Sequence, residues 1–273
     1  MSQRPTHIAV YGASGRMGQS VIAASVGLPQ ILVSAALVRA QSSALDASVP
    51  GMSEPNGDEL VYSSALDPDV PVDVLIDFSA GAAFDNALAI AVEHRIAFVS
   101  GTTGLEAAQQ LDLHNAALRI PVLWSANFSI GVAMLKRLAT EAAAALGPEF
   151  QVEIVEAHHA LKEDAPSGTA LALGRAIAGA RGQDLDEVAC RSRDGLVGAR
   201  GAGEIGFSTI RGGDIIGEHT VMFIAPGERI ELAHRASTRD LFARGALRAA
   251  QWIKGRAPGL YAIEDVIAQS TPR

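Results

Sequence analysis

Apolar residues fall along this chain in two rhythms. In the first half, short apolar runs end in glycine or serine and alternate with longer Ala/Leu-rich stretches. The runs at 7–12 (HIAVYG), 31–38 (ILVSAALV), 72–79 (VDVLIDFS), 96–101 (IAFVSG) and 121–127 (PVLWSAN) predict strands, and those at 20–28 and 84–94 predict helices. Strands that alternate with helices predict a parallel sheet with right-handed crossovers. The polar, Ser/Pro/Gly-rich stretch at 40–59 predicts an irregular surface excursion.

In the second half the rhythm changes. A long helical stretch at 132–147 ends at Gly147, with Pro148 behind it. QVEIVEAHH (151–159) predicts a strand with Val152 and Ile154 on one face and Glu153 on the other. After the turn APSGT comes a helix, ALALGRAIAGA. Then EIGFSTIR, DIIGEHTVMFIA and ERIELAHRA follow with RGG and PGE between them. Short turns between strands predict antiparallel pairing. The stretch 238–255 returns to helix. The pattern predicts a parallel nucleotide-type half followed by an α+β half.

Composition narrows the class. Of 273 residues, 48% are hydrophobic, which is enough for a sizeable core. No apolar run is long enough to span a bilayer, and the N-terminus lacks a signal-peptide layout. Cys190 is the one cysteine, so neither an intrachain disulfide nor a thiolate zinc cluster can form. These features favour a cytoplasmic enzyme. The net charge of −8 argues against nucleic acid as a partner.

The loop VYGASGRMGQS sets Gly12, Gly15 and Gly18 between the first strand and the first helix. Glycines there let the backbone approach a pyrophosphate, which the N–H groups of the helix start then hold. The loop GASGRM, from Gly12 through Ala13, Ser14, Gly15 and Arg16 to Met17, is therefore a candidate nucleotide-binding loop; the plainer reading is an ordinary strand-to-helix turn. Ser14 stands where a second glycine is usual. Arg16 lies along the phosphates or is a solvated arginine. At the end of the second strand, where an acid would hold the ribose of NAD, the chain reads Val38–Arg39. An arginine without a carboxylate suits a 2′-phosphate and predicts a preference for NADPH over NADH; the plainer reading is a surface arginine. Two more loops follow predicted strands, with Gly101, Thr102 and Thr103 in SGTTG and Ser125, Ala126, Asn127 and Phe128 in SANFS. Asp77 reads as an N-cap for a helix that begins near Ser79. The composite is an α/β fold, a Rossmann-type parallel-sheet domain joined to an α+β domain with an open, mostly antiparallel sheet.

EAHHALKEDAPSGTA (156–170) carries the chemistry of the second half. Adjacent strand residues point to opposite faces, so His158 and His159 can share a site only where the strand ends. Lys162 adds a cation. Ser167, Gly168 and Thr169 open a helix whose N–H groups suit an anion. Together they offer a proton donor, a cation and a carboxylate cradle; the competing reading is a solvated loop with one structural histidine. No third ligand at metal spacing accompanies the histidine pair, so no metal site is expected.

In this order GASGRMG, SGTTG, ANFSIGV, EAHH with DAPSGTA, and GEHTVMF resemble the dihydrodipicolinate reductase family, also described as 4-hydroxy-tetrahydrodipicolinate reductase, over nearly the whole chain. The resemblance implies NADH- or NADPH-dependent reduction of a cyclic dicarboxylate in the diaminopimelate route to lysine. It implies His158 as proton donor and Lys162 as the second catalytic group, with His159 and the turn Ser167, Gly168, Thr169 as substrate contacts. It also implies that Gly12 to Met17, Arg39, Gly101 to Thr103 and Ser125 to Phe128 contact the cofactor. The resemblance also implies that the C-terminal segment returns to the nucleotide domain, which gives a dinucleotide-binding domain of 1–129 with 238–273 and a substrate-binding and oligomerisation domain of 130–237, and that the antiparallel sheet builds a homotetramer. This chain has Ala160 and Leu161 where many members carry Arg and His, which lowers the local positive potential, and Val38 where many carry an acid. The competing functions are another Rossmann oxidoreductase of aspartate-family metabolism and a non-catalytic nucleotide-sensing protein.

Overall fold

A computed structural model describes residues 4–53, 57 and 59–268. The chain divides into two compact units, one running up to Phe128 and resuming at Asp240, the other Ser129–Arg239. Among the described residues no helix is long and apolar enough to cross a membrane.

The first unit begins with β1 (Thr6–Tyr11), α1 (Arg16–Ser25), β2 (Ile31–Leu37), β3 (Ser48–Ser53), β4 (Glu59–Ser63) and β5 (Val74–Asp77). It continues through α2 (Gly81–His94), β6 (Ala97–Ser100), α3 (Ala107–Ala117) and β7 (Pro121–Trp124). The second unit holds α4 (Ile130–Leu146), β8 (Gln151–His158), α5 (Gly168–Ala180), α6 (Leu185–Val188), β9 (Ala189–Cys190), β10 (Ile205–Arg211), β11 (Glu218–Ala225) and β12 (Glu228–Arg235). The chain then rejoins the first unit as α7 (Asp240–Ile253), β13 (Gly259–Tyr261) and α8 (Ile263–Ala268).

The first sheet has the order β13-β7-β6-β5-β1-β2-β4-β3, parallel throughout except for β3. β1, β5 and β6 are buried along their whole length, as continuous apolar strands covered on both faces should be. The order reverses between β1 and β5. A crevice opens outside the carboxyl ends of strands at such a point. Helix α7 lies in this unit, and at Gly245 its backbone runs against the carbonyl of Phe128. A Cβ there would lie 2.9 Å from the carbonyl carbon of Phe128.

The second sheet has the order β12-β11-β8-β10-β9. One face packs on α4 and α5 through Leu135, Ala139, Val152, Ile154, Leu173, Ile177, Phe207, Val221 and Phe223. Helix α4 starts on the Ser129 side chain, which accepts from Val132 N, and stops at Gly147 with φ +75°.

The α/β class and the second, antiparallel-containing sheet follow the sequence pattern, but two local expectations do not hold. The excursion at 40–59 contains β3 and runs into β4. Leu60 and Tyr62 alternate as buried residues on β4, a period-two signal hidden by the polar stretch before it. β10 and β11 do not form a hairpin either. β8 lies between them, parallel to β10 and antiparallel to β11. The connection from 212 to 217 is long enough to pass over the end of β8, where Gly212 N donates to His158 O (3.0 Å) and Ala160 N to Gly213 O (3.2 Å).

Candidate active site

In the first unit, β1, β2, β6 and β7 are parallel, so the loops after them leave the sheet on one edge. That edge gathers the glycine loop, Arg39, Gly101 to Thr103, and Ser125 to Phe128. In the glycine loop the N–H groups of Gly12 and Ala13 are spent on Leu37 O (both 3.0 Å). Gly12 has φ +75°, and a Cβ on Gly18 would lie 2.3 Å from Gly12 O. Both positions therefore require glycine for the turn and for the close approach of helix to strand. Ser14, Gly15 and Arg16 are exposed, while Ala13 is buried. Gly15 caps α1 without a side chain, and the first turn carries no acid. The positive end of the helix is thus open to an anion. This is the fit a pyrophosphate needs.

Arg39 is exposed just beyond β2, and Val38 beside it is buried. Thr103 is exposed, but Thr102 is 2% exposed, and its hydroxyl donates to Asp77 Oδ2 at 2.8 Å. The side chain of Thr102 therefore serves the loop rather than the crevice. Asp77 does not cap a helix, since α2 starts at Gly81 behind Ala80. It is fully buried and also accepts from Ser100 Oγ (2.8 Å) and Ser79 N (2.9 Å). Three donors on one carboxylate tie the loop after β5 to the loop after β6. Phe78, which the sequence reading passed over, lies against Gly101, where a Cβ would be 2.2 Å from its ring. The Phe78 ring meets Phe128 edge-on, with centroids 5.5 Å apart. Ser125 Oγ donates to Asn127 O at 2.8 Å and so fixes the loop after β7.

In the second unit the site grows out of the sheet register. Val152, Ile154, Glu156 and His158 alternate on the helix-covered face of β8. The last two replace apolar residues with polar ones as the strand ends. Thr209 on β10 and His219 on β11 stand opposite Glu156, Arg211 stands opposite His158, and His234 on β12 stands opposite His219. The core stripe of three adjacent strands thus turns polar at one level.

Glu156 is 1% exposed. Arg211 grips it in a fork, Nη1 to Oε2 and Nη2 to Oε1, both at 2.8 Å. Ser167 N donates to Oε1 at 3.0 Å, and His158 Nδ1 lies 2.6 Å from Oε2. Burial alone would raise the Glu156 pKa, but the bonds from Arg211, His158 and Ser167 outweigh it and hold it below the usual range. An ionised carboxylate only accepts, so Nδ1 of His158 carries the proton. Among the described residues no hydrogen bond falls on His158 Nε2. Burial pushes the His158 pKa down, with Lys162 and Arg211 adding to the effect and Glu156 opposing it.

Ser167 caps α5, its Oγ accepting from Ala170 N (3.2 Å). The same Oγ lies 3.1 Å from Nε2 of buried His219. Burial, with His158 nearby, drops the His219 pKa to about 4, so that ring is neutral. Gly168 and Thr169 form the first turn of α5, which carries no acid. His159 is half-buried just past the end of β8, and its carbonyl accepts from Lys162 N (3.1 Å). Lys162 Nζ pairs with Asp164 Oδ1 at 2.8 Å, on a loop at the mouth of this cluster.

The structure therefore brings His158, His159, Lys162 and the Ser167–Thr169 turn into one neighbourhood. Glu156, Thr209, Arg211 and His219 also belong to it, and the sequence reading had not singled them out. Glu156 sits two residues before His158, at the strand period, and that spacing was the available signal.

A family model described as dihydrodipicolinate reductase, N-terminus, matches residues 6–128, and one described as dihydrodipicolinate reductase, C-terminus, matches residues 131–267. The 4-hydroxy-tetrahydrodipicolinate reductase of Pseudoalteromonas atlantica is 43% identical over 261 residues, covering 95% of this chain and 98% of that protein. The protein of the same name from Pseudomonas fluorescens is 45% identical over 262 residues, with 95% and 98% covered. A solved structure described as dipicolinate-bound dihydrodipicolinate reductase from Paenisporosarcina sp. TG-14 shares the fold, with a TM-score of 0.71 at 24% identity over 96% of this chain and 99% of that one. The chain belongs to the dihydrodipicolinate reductase family and is an oxidoreductase.

Proposed function

We propose that this protein reduces 4-hydroxy-tetrahydrodipicolinate to tetrahydrodipicolinate, with loss of water, in the diaminopimelate route to lysine, using NADPH in preference to NADH. The observation that carries the reading is the presentation of His158. Its Nδ1 is bound to a buried carboxylate, and among the described residues its Nε2 has no hydrogen-bond partner, beside a helix start whose first turn carries no acid. A proton donor needs one nitrogen anchored and the other offered to the reacting atom.

The glycine loop holds the pyrophosphate of the cofactor through the first turn of α1. Arg39 takes the 2′-phosphate, with Thr103 and the 125–128 loop alongside. A bound nicotinamide supplies hydride; the protein supplies position, charge and a proton. His158 protonates the other carbon of the C=C bond that receives the hydride. The two substrate carboxylates are held by Lys162, His159 and the first turn of α5 at Gly168 and Thr169, which Ser167 shapes from behind through its bonds to Glu156, Ala170 and His219. A dicarboxylate is the right partner for Lys162, because it competes with Asp164 for the ammonium.

The exposed face of the second sheet, which carries Val155, Ile210, Thr220, Met222 and Ile224, is offered as the contact surface of a homotetramer. Substrate and cofactor are metabolites of the cell interior, so the enzyme works in the cytoplasm. The test is NADPH oxidation coupled to the synthase that makes the unstable substrate in place. His158→Gln should lower kcat by roughly 10² to 10⁴ while leaving cofactor affinity unchanged. An unchanged kcat removes His158 from the chemistry.

A further inference from the structure

Arg211 connects both proposed catalytic groups to one buried carboxylate. Besides its fork on Glu156, its Nε donates to Lys162 O (3.3 Å) and its Nη2 to Asp164 O (2.6 Å). One guanidinium therefore reaches from the carboxylate behind His158 to the backbone of the loop that carries Lys162. Thr209 Oγ1 adds a bond to Glu156 Oε1 at 3.3 Å. With Arg211, Ser167 N and Thr209 on it, the carboxylate has one direction left, toward His158 Nδ1. Planar, bidentate pairing of this kind is what arginine provides and lysine does not.

We propose that Glu156 and Arg211 are a positioning pair. Glu156 fixes the His158 ring with Nδ1 protonated and Nε2 turned outward, and Arg211 locks the Lys162 loop to the same carboxylate. This rests on the reading of His158 and Lys162 as the groups that meet substrate.

The charges around His158 make the pair distinguishable from a structural one. Glu156 faces the ring from its own strand, Arg211 from β10, His219 from β11, and Lys162 from the following loop with Asp164 on its ammonium. Helix α5 contributes the neutral Ser167. Glu156 favours the imidazolium; Arg211 and Lys162 disfavour it. An acid must hold its proton, so the rate falls as pH rises through the His158 pKa. Removal of the Glu156 charge lowers that pKa and moves the fall to lower pH. Removal of the Arg211 charge moves it to higher pH. A merely structural pair would leave the ring tautomer and the rate below the pH limb unchanged.

The experiment combines two readouts on the full chain. Nitrogen chemical shifts of the His158 ring give its tautomer and pKa in the free protein, and the coupled NADPH assay gives kcat and KM against pH. The neutral ring of the wild type should carry its proton on Nδ1. E156Q should lose that preference and shift the alkaline fall downward; R211Q should shift it upward. Both should lower kcat about tenfold to a hundredfold, the scale of a misplaced catalytic group. R211Q leaves a buried carboxylate with few partners, so R211K is the second variant. It keeps the charge and loses the fork and the carbonyl bonds, so kcat/KM should fall while the pH limb stays put. Unshifted limbs in E156Q and R211Q, or an R211K with wild-type kcat/KM, overturn the proposal. H158Q separates the two levels. If H158Q is inactive while E156Q keeps the wild-type tautomer and pH limb, the positioning pair is wrong and the proton donor stands. If H158Q is fully active, the reading beneath it falls.

Discussion

Ser167→Ala gives the sharpest energetic test of how the second unit is built. Ser167 is 2% exposed, and its Oγ does two jobs. It caps α5 by accepting from Ala170 N, and it is also hydrogen-bonded to His219 Nε2. Loss of a serine N-cap costs about 1 kcal/mol. Loss of the partner of a buried, neutral imidazole leaves an unsatisfied ring nitrogen, which costs about 1 to 3 kcal/mol. Together they come to about 2 to 4 kcal/mol, because both penalties fall on one atom.

Fluorescence will miss this loss, because both tryptophans, Trp124 and Trp252, lie in the first unit. Hydrogen exchange at the α5 amides reads it directly. At about 1.4 kcal/mol per factor of ten, protection should fall about thirty-fold to several hundred-fold. Ser129→Ala is the matched control. Its Oγ likewise caps a helix, accepting from Val132 N at 3.1 Å, and lies 3.3 Å from His234 Nε2. It should weaken α4 in the same way. The double variant S167A/H219L removes both partners and should recover the orphan penalty while leaving the cap loss. Protection in S167A within about threefold of wild type, or a double variant no better than the single, would refute the accounting.

Three further outcomes follow from the same geometry. Lys162→Ala should lower kcat/KM by about 10² or more, as loss of one charge-stabilising donor does, and saturating substrate with adjusted salt should not restore the full rate. Arg39→Ala should erase an NADPH preference of about tenfold or more and leave NADH efficiency unchanged, since an ion-assisted bond is worth about 1.5 to 3 kcal/mol; a wild type that prefers NADH would shift attention to an acid such as exposed Asp46. Stability of the second unit should fall with acid, because His219 titrates at about 4 when folded against 6.5 otherwise. Its contribution is complete above 6.5 and is lost as pH drops toward 4, by about 1.4 kcal/mol per pH unit. His219→Leu should flatten that slope in urea titrations at pH 7, 6 and 5.

How much of this could be read in the sequence depended on what set each feature. The parallel sheet was legible because its strands are buried on both faces and read as short apolar runs cut off by Gly or Ser. The glycine loop was legible because Gly12 and Gly18 answer to steric demands that no other residue meets. Asp77 was not. A carboxylate at a strand end looks like a cap, and only the neighbouring strand end, with Ser100 and Thr102, shows that it is a tie between loops. β10 was misplaced for a related reason. The turn-rich stretch at 212–217 has the composition of a hairpin turn, and nothing local says that β8 passes beneath it.

The histidine stretch shows where adjacency in sequence misleads. HH attracts notice as a pair, yet neighbours on a strand diverge, and His159 is already past the strand end. The partner of His158 is two residues back. Glu156 continues the face of Val152 and Ile154, so by pattern alone it is a charge in an apolar stripe. A buried charge persists only where it is paired and fully hydrogen-bonded. That rule demands a cation from a neighbouring strand at the same level, and a fixed register supplies Arg211 opposite His158. Read this way, an acid on the core face near a strand end is itself a prediction: some adjacent strand must carry its counter-charge, and the residue two places on is held by both. The chemistry of the site then comes from the point where three core stripes stop being apolar, and no single segment contains it.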